Sequence, residues 1–181
     1  MDRPGLFRRL LSRSIPEAAP GEGTPRRRRV ERANAREGLR ILVIDDSRLI
    51  TTLLSRMLGQ NRYEVVTAAD AESGLAQVQA FKPELIFLDI VLPGMNGFAA
   101  MRELRRDPAT RDIPVVMISG NAEAVEQFYA KRIGAFDLLK KPFGRQEIFA
   151  RIDRMVRQGL LPGRPRREAS GHDSRPAAEA G

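Results

Sequence analysis

ILVIDD (41–46) is a short apolar run closed by two carboxylates. LIFLD (85–89) ends in one acid, and DLLKKP (137–142) ends in lysine followed by proline. Runs of this length, rich in Ile, Val and Leu, read as strands buried on both faces. Polar residues at the carboxyl ends of parallel strands are where doubly wound α/β proteins build their sites. Asp45, Asp46, Asp89 and Lys141 are therefore expected at one sheet edge. Three acids and a lysine there suit a hard cation and a phosphoryl group.

Strand and helix patterns alternate five times around these runs. Strands are expected at 40–45, 63–67, 85–89, 115–119 and 136–140. Helices are expected at 47–59, from 71 to the stop at Pro83, from the 93–97 loop to 106, at 122–133 and at 145–158. Ile50, Leu53, Leu54, Met57 and Leu58 share one face of the first helix. Ile148, Phe149, Ile152, Met155 and Val156 do so on the fifth. Repeated βα units with right-handed crossovers predict a flavodoxin-like, doubly wound, five-stranded parallel sheet of order 2-1-3-4-5 with five helices. That order makes the first and third strands neighbours, so Asp46 and Asp89 can meet. Three acids packed together repel unless a cation neutralises them, and Mg²⁺ fits an all-oxygen set. Asp89 then becomes a candidate nucleophile for an aspartyl-phosphate. Ser119 brings a hydroxyl to the same edge from the end of the fourth strand.

The 181 residues carry a net charge of +8, no cysteine and one histidine. Disulfides and cysteine-based zinc sites are excluded, and a cytoplasmic location is expected. No apolar run approaches the roughly 18–20 residues that span a bilayer, and no secretory signal is evident. The positive charge is concentrated in residues 1–39, which hold ten Arg against five acids. Pro16, Pro20, Gly21, Gly23, Pro25 and the run Arg26–Arg29 read as a disordered, self-repelling segment. Pro, Gly, Arg and Ala dominate from Pro162 onward. The expected layout is a disordered basic extension over 1–39, a folded domain over 40–158 and a disordered tail over 159–181. Within the extension, residues 5–15 form a short basic amphipathic pattern suited to a membrane surface or a partner protein.

RILVIDDS (40–47), LIFLDIVLPGMNG (85–97), VVMISG (115–120) and LLKKPF (138–143) together resemble the receiver domain of two-component response regulators. Each segment alone is weak; all four in order are specific. The likeness extends to short stand-alone receivers of the chemotaxis and twitching-motility type. It implies that Asp89 accepts the phosphoryl group and that Asp46 holds Mg²⁺ directly and Asp45 through water. The backbone carbonyl of Val91 would be a further metal ligand. Ser119 would be the switch hydroxyl and Lys141 its ion-pair partner, with a cis bond before Pro142. It implies a sensor histidine kinase as phosphodonor and a protein effector reading the face of the fourth helix, fifth strand and fifth helix. The chain would catalyse only its own phosphorylation and dephosphorylation.

One position departs from the family: Leu138 stands where a switching aromatic is common, with Phe136 and Tyr129 as candidate substitutes. Phe98, Phe128, Phe143 and Phe149 read as packing residues, and His172 as a tail residue without a site role. Taken singly, Asp45-Asp46 would be a helix cap, Asp89 a loop acid and Ser119 a turn hydroxyl. Val91 also separates this chain from aspartate-nucleophile phosphatases, which place a general acid two residues past the nucleophile. About 23 residues follow the fifth helix, and no dedicated DNA-binding domain is expected in them. The alternative function is nucleic-acid binding through the basic extension.

Overall fold

A computed structural model describes residues 35–120 and 124–165. Five strands, β1 Arg40–Ile44, β2 Glu64–Ala68, β3 Leu85–Asp89, β4 Val115–Ser119 and β5 Asp137–Lys140, alternate with five helices. These are α1 Arg48–Gly59, α2 Ala71–Phe81, α3 Gly97–Arg106, α4 Ala124–Arg132 and α5 Arg145–Arg157. All strand pairs are parallel, in the order β2-β1-β3-β4-β5. This is the sheet expected from the alternating pattern, with boundaries shifted by one or two residues.

Each central strand is buried on both faces because its side chains alternate between two cores. Ile41, Val43, Phe87, Val116, Ile118 and Leu139 face α1 and α5, where Leu54, Leu58, Ile148, Ile152 and Met155 complete the layer. Leu42, Ile44, Ile86, Leu88, Val115 and Met117 face the other way, against Val78 of α2 and Met101 and Leu104 of α3. Phe143 and Phe149 are buried in the first core and Phe98 packs against the second, as packing residues should. The side chain of Phe128 lies outside the described residues.

The helix ends follow local chemistry. Asp70 caps α2 by accepting from the Ser73 N–H at 2.7 Å, and Asn96 caps α3 by accepting from Ala99 at 2.9 Å. Ser47 sits at the cap position of α1 but makes no side-chain cap bond. Its backbone N–H instead donates to Asp45 Oδ1 at 2.9 Å, so an acid of the site organises that turn. On the other side of the sheet, Asp137 of β5 ties down α5 through Arg151 at 2.9 Å and Arg154 at 2.6 Å.

The boundaries at 40 and 158 are too narrow. Ala35 pairs antiparallel with Gly163, and the Arg36 N–H donates to the Pro162 carbonyl at 2.9 Å. Ala35, Leu39 and Leu161 are buried in the same core as Tyr63 and Met155. Residues 35–39 and 159–163 thus close the base of the domain as a small clasp. The amphipathic stretch 5–15, the Arg26–Arg29 run and His172 lie outside the described residues.

Candidate functional site

The parallel register brings the carboxyl ends of β1, β3, β4 and β5 to one edge. Asp45 follows β1, Asp89 closes β3, Ser119 closes β4 and Lys141 follows β5. Lys141 Nζ stands 2.8 Å from both Asp45 Oδ2 and Asp89 Oδ2. Its backbone N–H donates to the Ser119 carbonyl at 2.7 Å, which locks the β5 end against β4. The Lys141–Pro142 bond is cis, as expected. Lys140, next to it in the sequence, is exposed.

Asp45, Asp89 and Ser119 are buried, whereas Asp46 is exposed at the rim. The three acids offer carboxylate oxygens that all lie within 4.8 Å of one another. Burial raises the Asp89 pKa above the ordinary carboxylate range; the Lys141 hydrogen bond opposes that rise and the Asp45 charge reinforces it. Burial alone would lower the Lys141 pKa, but the hydrogen bonds and charges of Asp45 and Asp89 outweigh it and the net shift is upward. The ammonium therefore stays charged between the two carboxylates.

One cation is not enough for this set. Lys141 Nζ reaches both Asp45 Oδ2 and Asp89 Oδ2 at 2.8 Å, but it is one positive charge beside three carboxylates. Acids packed this closely repel unless a further cation approaches. The donor set is all oxygen, which suits Mg²⁺ with waters completing its shell. The residues present therefore fit the Mg²⁺ that the resemblance implies.

α3 is set close against this edge. The Gly97 N–H donates to the Ile90 carbonyl at 2.9 Å, and a Cβ at Gly97 would collide with the Asp89 carbonyl oxygen. Val91 is 71% exposed at the mouth of the site, and its N–H approaches Asp89 Oδ1 at 3.4 Å.

The two aromatic substitutes for Leu138 are held elsewhere. The Tyr129 ring meets Phe98 edge-on at 4.9 Å, and its hydroxyl accepts from Arg102 at 2.9 Å. Phe136 packs on the α1/α5 core, under the Arg154 guanidinium at 4.7 Å. Leu138 itself packs against the α2/α3 core. Sequence reasoning did not foresee the Ser47 amide on Asp45 or the closeness of Gly97 to Asp89. The first has a signal in the acid-acid-Ser order, since an Asp readily accepts from the amide two residues on. The second has only the glycine after Asn96 to suggest it.

The chain belongs to the Response regulator receiver domain family, whose match covers residues 41–153. It is 41% identical over 133 residues to Response regulator PleD of Caulobacter vibrioides, covering 73% of this chain and 29% of that protein. It is 38% identical over 119 residues to the phosphate regulon transcriptional regulatory protein PhoB of Escherichia coli, covering 66% of this chain and 52% of that one. Among solved structures, the Vibrio cholerae chemotaxis protein CheY4 superimposes with a TM-score of 0.62 at 29% identity, over 66% of this chain and 98% of that one. The chain thus spans about half or less of the length of these two curated relatives. It carries the receiver of a phosphorylatable response regulator, a signalling domain. Among the described residues, no helix is long and apolar enough to cross a membrane.

Proposed function

We propose that Asp89 is the phosphoacceptor and that a sensor kinase phosphohistidine is the donor. The observation that carries this reading is Lys141 Nζ at 2.8 Å from both Asp45 and Asp89, beside an exposed third acid. Asp89 Oδ attacks phosphorus, the P–N bond to the donor imidazole breaks, and the imidazole takes up a proton as it leaves. Bound Mg²⁺ would offset charge on the transferring group, held by Asp45, Asp46, Asp89 and the Val91 carbonyl. Lys141 supplies a point charge to the phosphoryl oxygens. Ser119, buried one strand away, donates its hydroxyl to one of them.

The output is a population shift. Phosphorylation at Asp89 draws Ser119 and Lys141 inward, and both anchor the strands that carry α4, β5 and α5. A protein effector reads the altered face. Because Leu138 replaces the usual aromatic, this coupling runs through the Ser119–Lys141 backbone bond rather than through a ring at position 138. The domain acts in the cytoplasm, with residues 1–34 as a basic extension and residues 5–15 as a docking segment for a membrane surface or partner. Chemotaxis and twitching motility are the processes in which short receivers of this type work.

The deciding experiment is phosphorylation of the full chain by acetyl phosphate with Mg²⁺. One acid-stable, base-labile phosphoryl group is expected, absent in Asp89→Asn. Undiminished labelling of that variant would overturn the assignment. A second reading, nucleic-acid binding through the Arg-rich residues 1–39, is motivated by the charge gathered there. Salt-dependent DNA binding that disappears on deleting residues 1–34 supports it, and no binding at low salt excludes it.

A further inference from the structure

At the opposite edge of the sheet from Asp89, the C-terminal ends of α3 and α4 flank a shallow, open surface depression of about 440 Å³. Four arginines line it, Arg102, Arg105 and Arg106 from α3 and Arg132 from α4, together with Ile133 and Gly134. The spacing of 102, 105 and 106 puts three guanidiniums on one face of α3. Among the described residues, Arg106 alone of the four forms an ion pair, with Glu103 at 2.7 Å, both side chains exposed, while the Asp112 charge acts on Arg105 from further away. Arg102 donates to the neutral Tyr129 hydroxyl. Arg105 donates to the Gly134 carbonyl at 3.0 Å and the Ile113 carbonyl at 3.1 Å, while its Nη1 is buried with no hydrogen-bond partner among the described residues. Arg132 is exposed and has no acidic partner among the described residues.

Basic residues in a last helical turn complement the helix dipole. That accounts for each arginine on its own helix. It does not account for four of them converging on one surface depression with one ion pair among them. Burial lowers the Arg105 pKa, and the Asp112 charge only partly opposes that. Guanidinium forks match phosphate oxygens bidentately, and their planes stack on aromatic bases. The depression is open to solvent, so a ligand there would lie on the arginines with one side exposed. Its volume exceeds the space that two phosphates fill, and Ile133 with the arginine stems offers an apolar wall for a base.

We infer that the arginine-lined depression between the C-terminal ends of α3 and α4 binds a nucleoside di- or triphosphate. Arg102, Arg105 and Arg132 hold the phosphates, and Ile133 contacts the base. The site is separate from the acid cluster and needs no divalent cation.

The test is calorimetric titration of the full chain with ADP and ATP in EDTA at physiological salt, paired with amide NMR. Saturable binding is expected, with shifts at Ile133 and Gly134. Arg102→Gln combined with Arg132→Gln, both exposed and so expected to melt like wild type, should weaken it by about tenfold or more. Asp89→Asn and a fourfold Arg26–Arg29→Gln variant should bind as wild type does. Absence of saturable binding overturns the inference. So does binding lost in the fourfold variant but kept in the double one, or a phosphate-free polyglutamate peptide that binds the depression as tightly as ADP.

Discussion

Val91 stands at the mouth of the site, where water must pass to reach a phosphorylated Asp89. Its side chain is exposed and cannot hydrogen-bond that water. Val91→Asn, which can orient it, should raise the autodephosphorylation rate by about tenfold, the equivalent of one added transition-state contact of about 1.4 kcal/mol. Loss of the acyl-phosphate with time measures this, and an unchanged rate defeats the argument. Asp46 gives a second handle. It adds negative charge beside two buried acids that share one lysine. Asp46→Ala should weaken Mg²⁺ binding, yet raise the metal-free melting temperature by about 1–3 °C, because repulsion between partly exposed charges is worth a fraction of 1 kcal/mol. A lower metal-free melting temperature counts against repulsion as the source. These positions were legible in the sequence because polar residues that close apolar strands have few places to go. That one ammonium would serve both buried acids was not legible, since that depends on where one lysine tip comes to rest.

Strands and helices carry those side chains to within bonding distance, and two positions control how well. Phe87 is fully buried at the centre of β3, two residues before Asp89. Phe87→Ala should cost about 3–5 kcal/mol of stability in a urea titration, the loss of an aromatic side chain plus the cavity left behind. Gly97 acts by closeness rather than by volume. Its missing side chain lets the start of α3 lie on the Asp89 carbonyl. Gly97→Ala must displace backbone at the β3 end, so it should lower the melting temperature and also slow phosphorylation by acetyl phosphate more than tenfold beyond the fraction unfolded. If phosphorylation and stability fall in proportion, the effect is general unfolding instead. Periodicity revealed both elements, since alternating burial and an apolar helix face are written in residue order. The contact between them was hidden because it joins residues that share no pattern.

For the molecule as a whole, composition misled at the edges. Pro162, Gly163 and Pro165 read as tail, yet Leu161 is buried and Gly163 pairs with Ala35. One apolar side chain and one bridge suffice to fasten a segment whose residues otherwise favour no regular structure, and such tertiary fastening has no local signature. Leu161→Ala should therefore destabilise the domain by about 2–5 kcal/mol, as a core position does and a tail position does not. A chemical denaturation curve that overlays wild type would return the segment to the tail. The same clasp has a topological consequence. Where the chain enters the domain it also leaves, so the fold is nearly a closed ring. A ring can be cut anywhere along a surface turn once its original ends are stitched together. A circular permutant joining 165 to 35 through a short Gly/Ser stretch, and reopened at Pro108, should melt cooperatively by circular dichroism. The domain could likewise be spliced into a loop of a host protein without prising that loop apart.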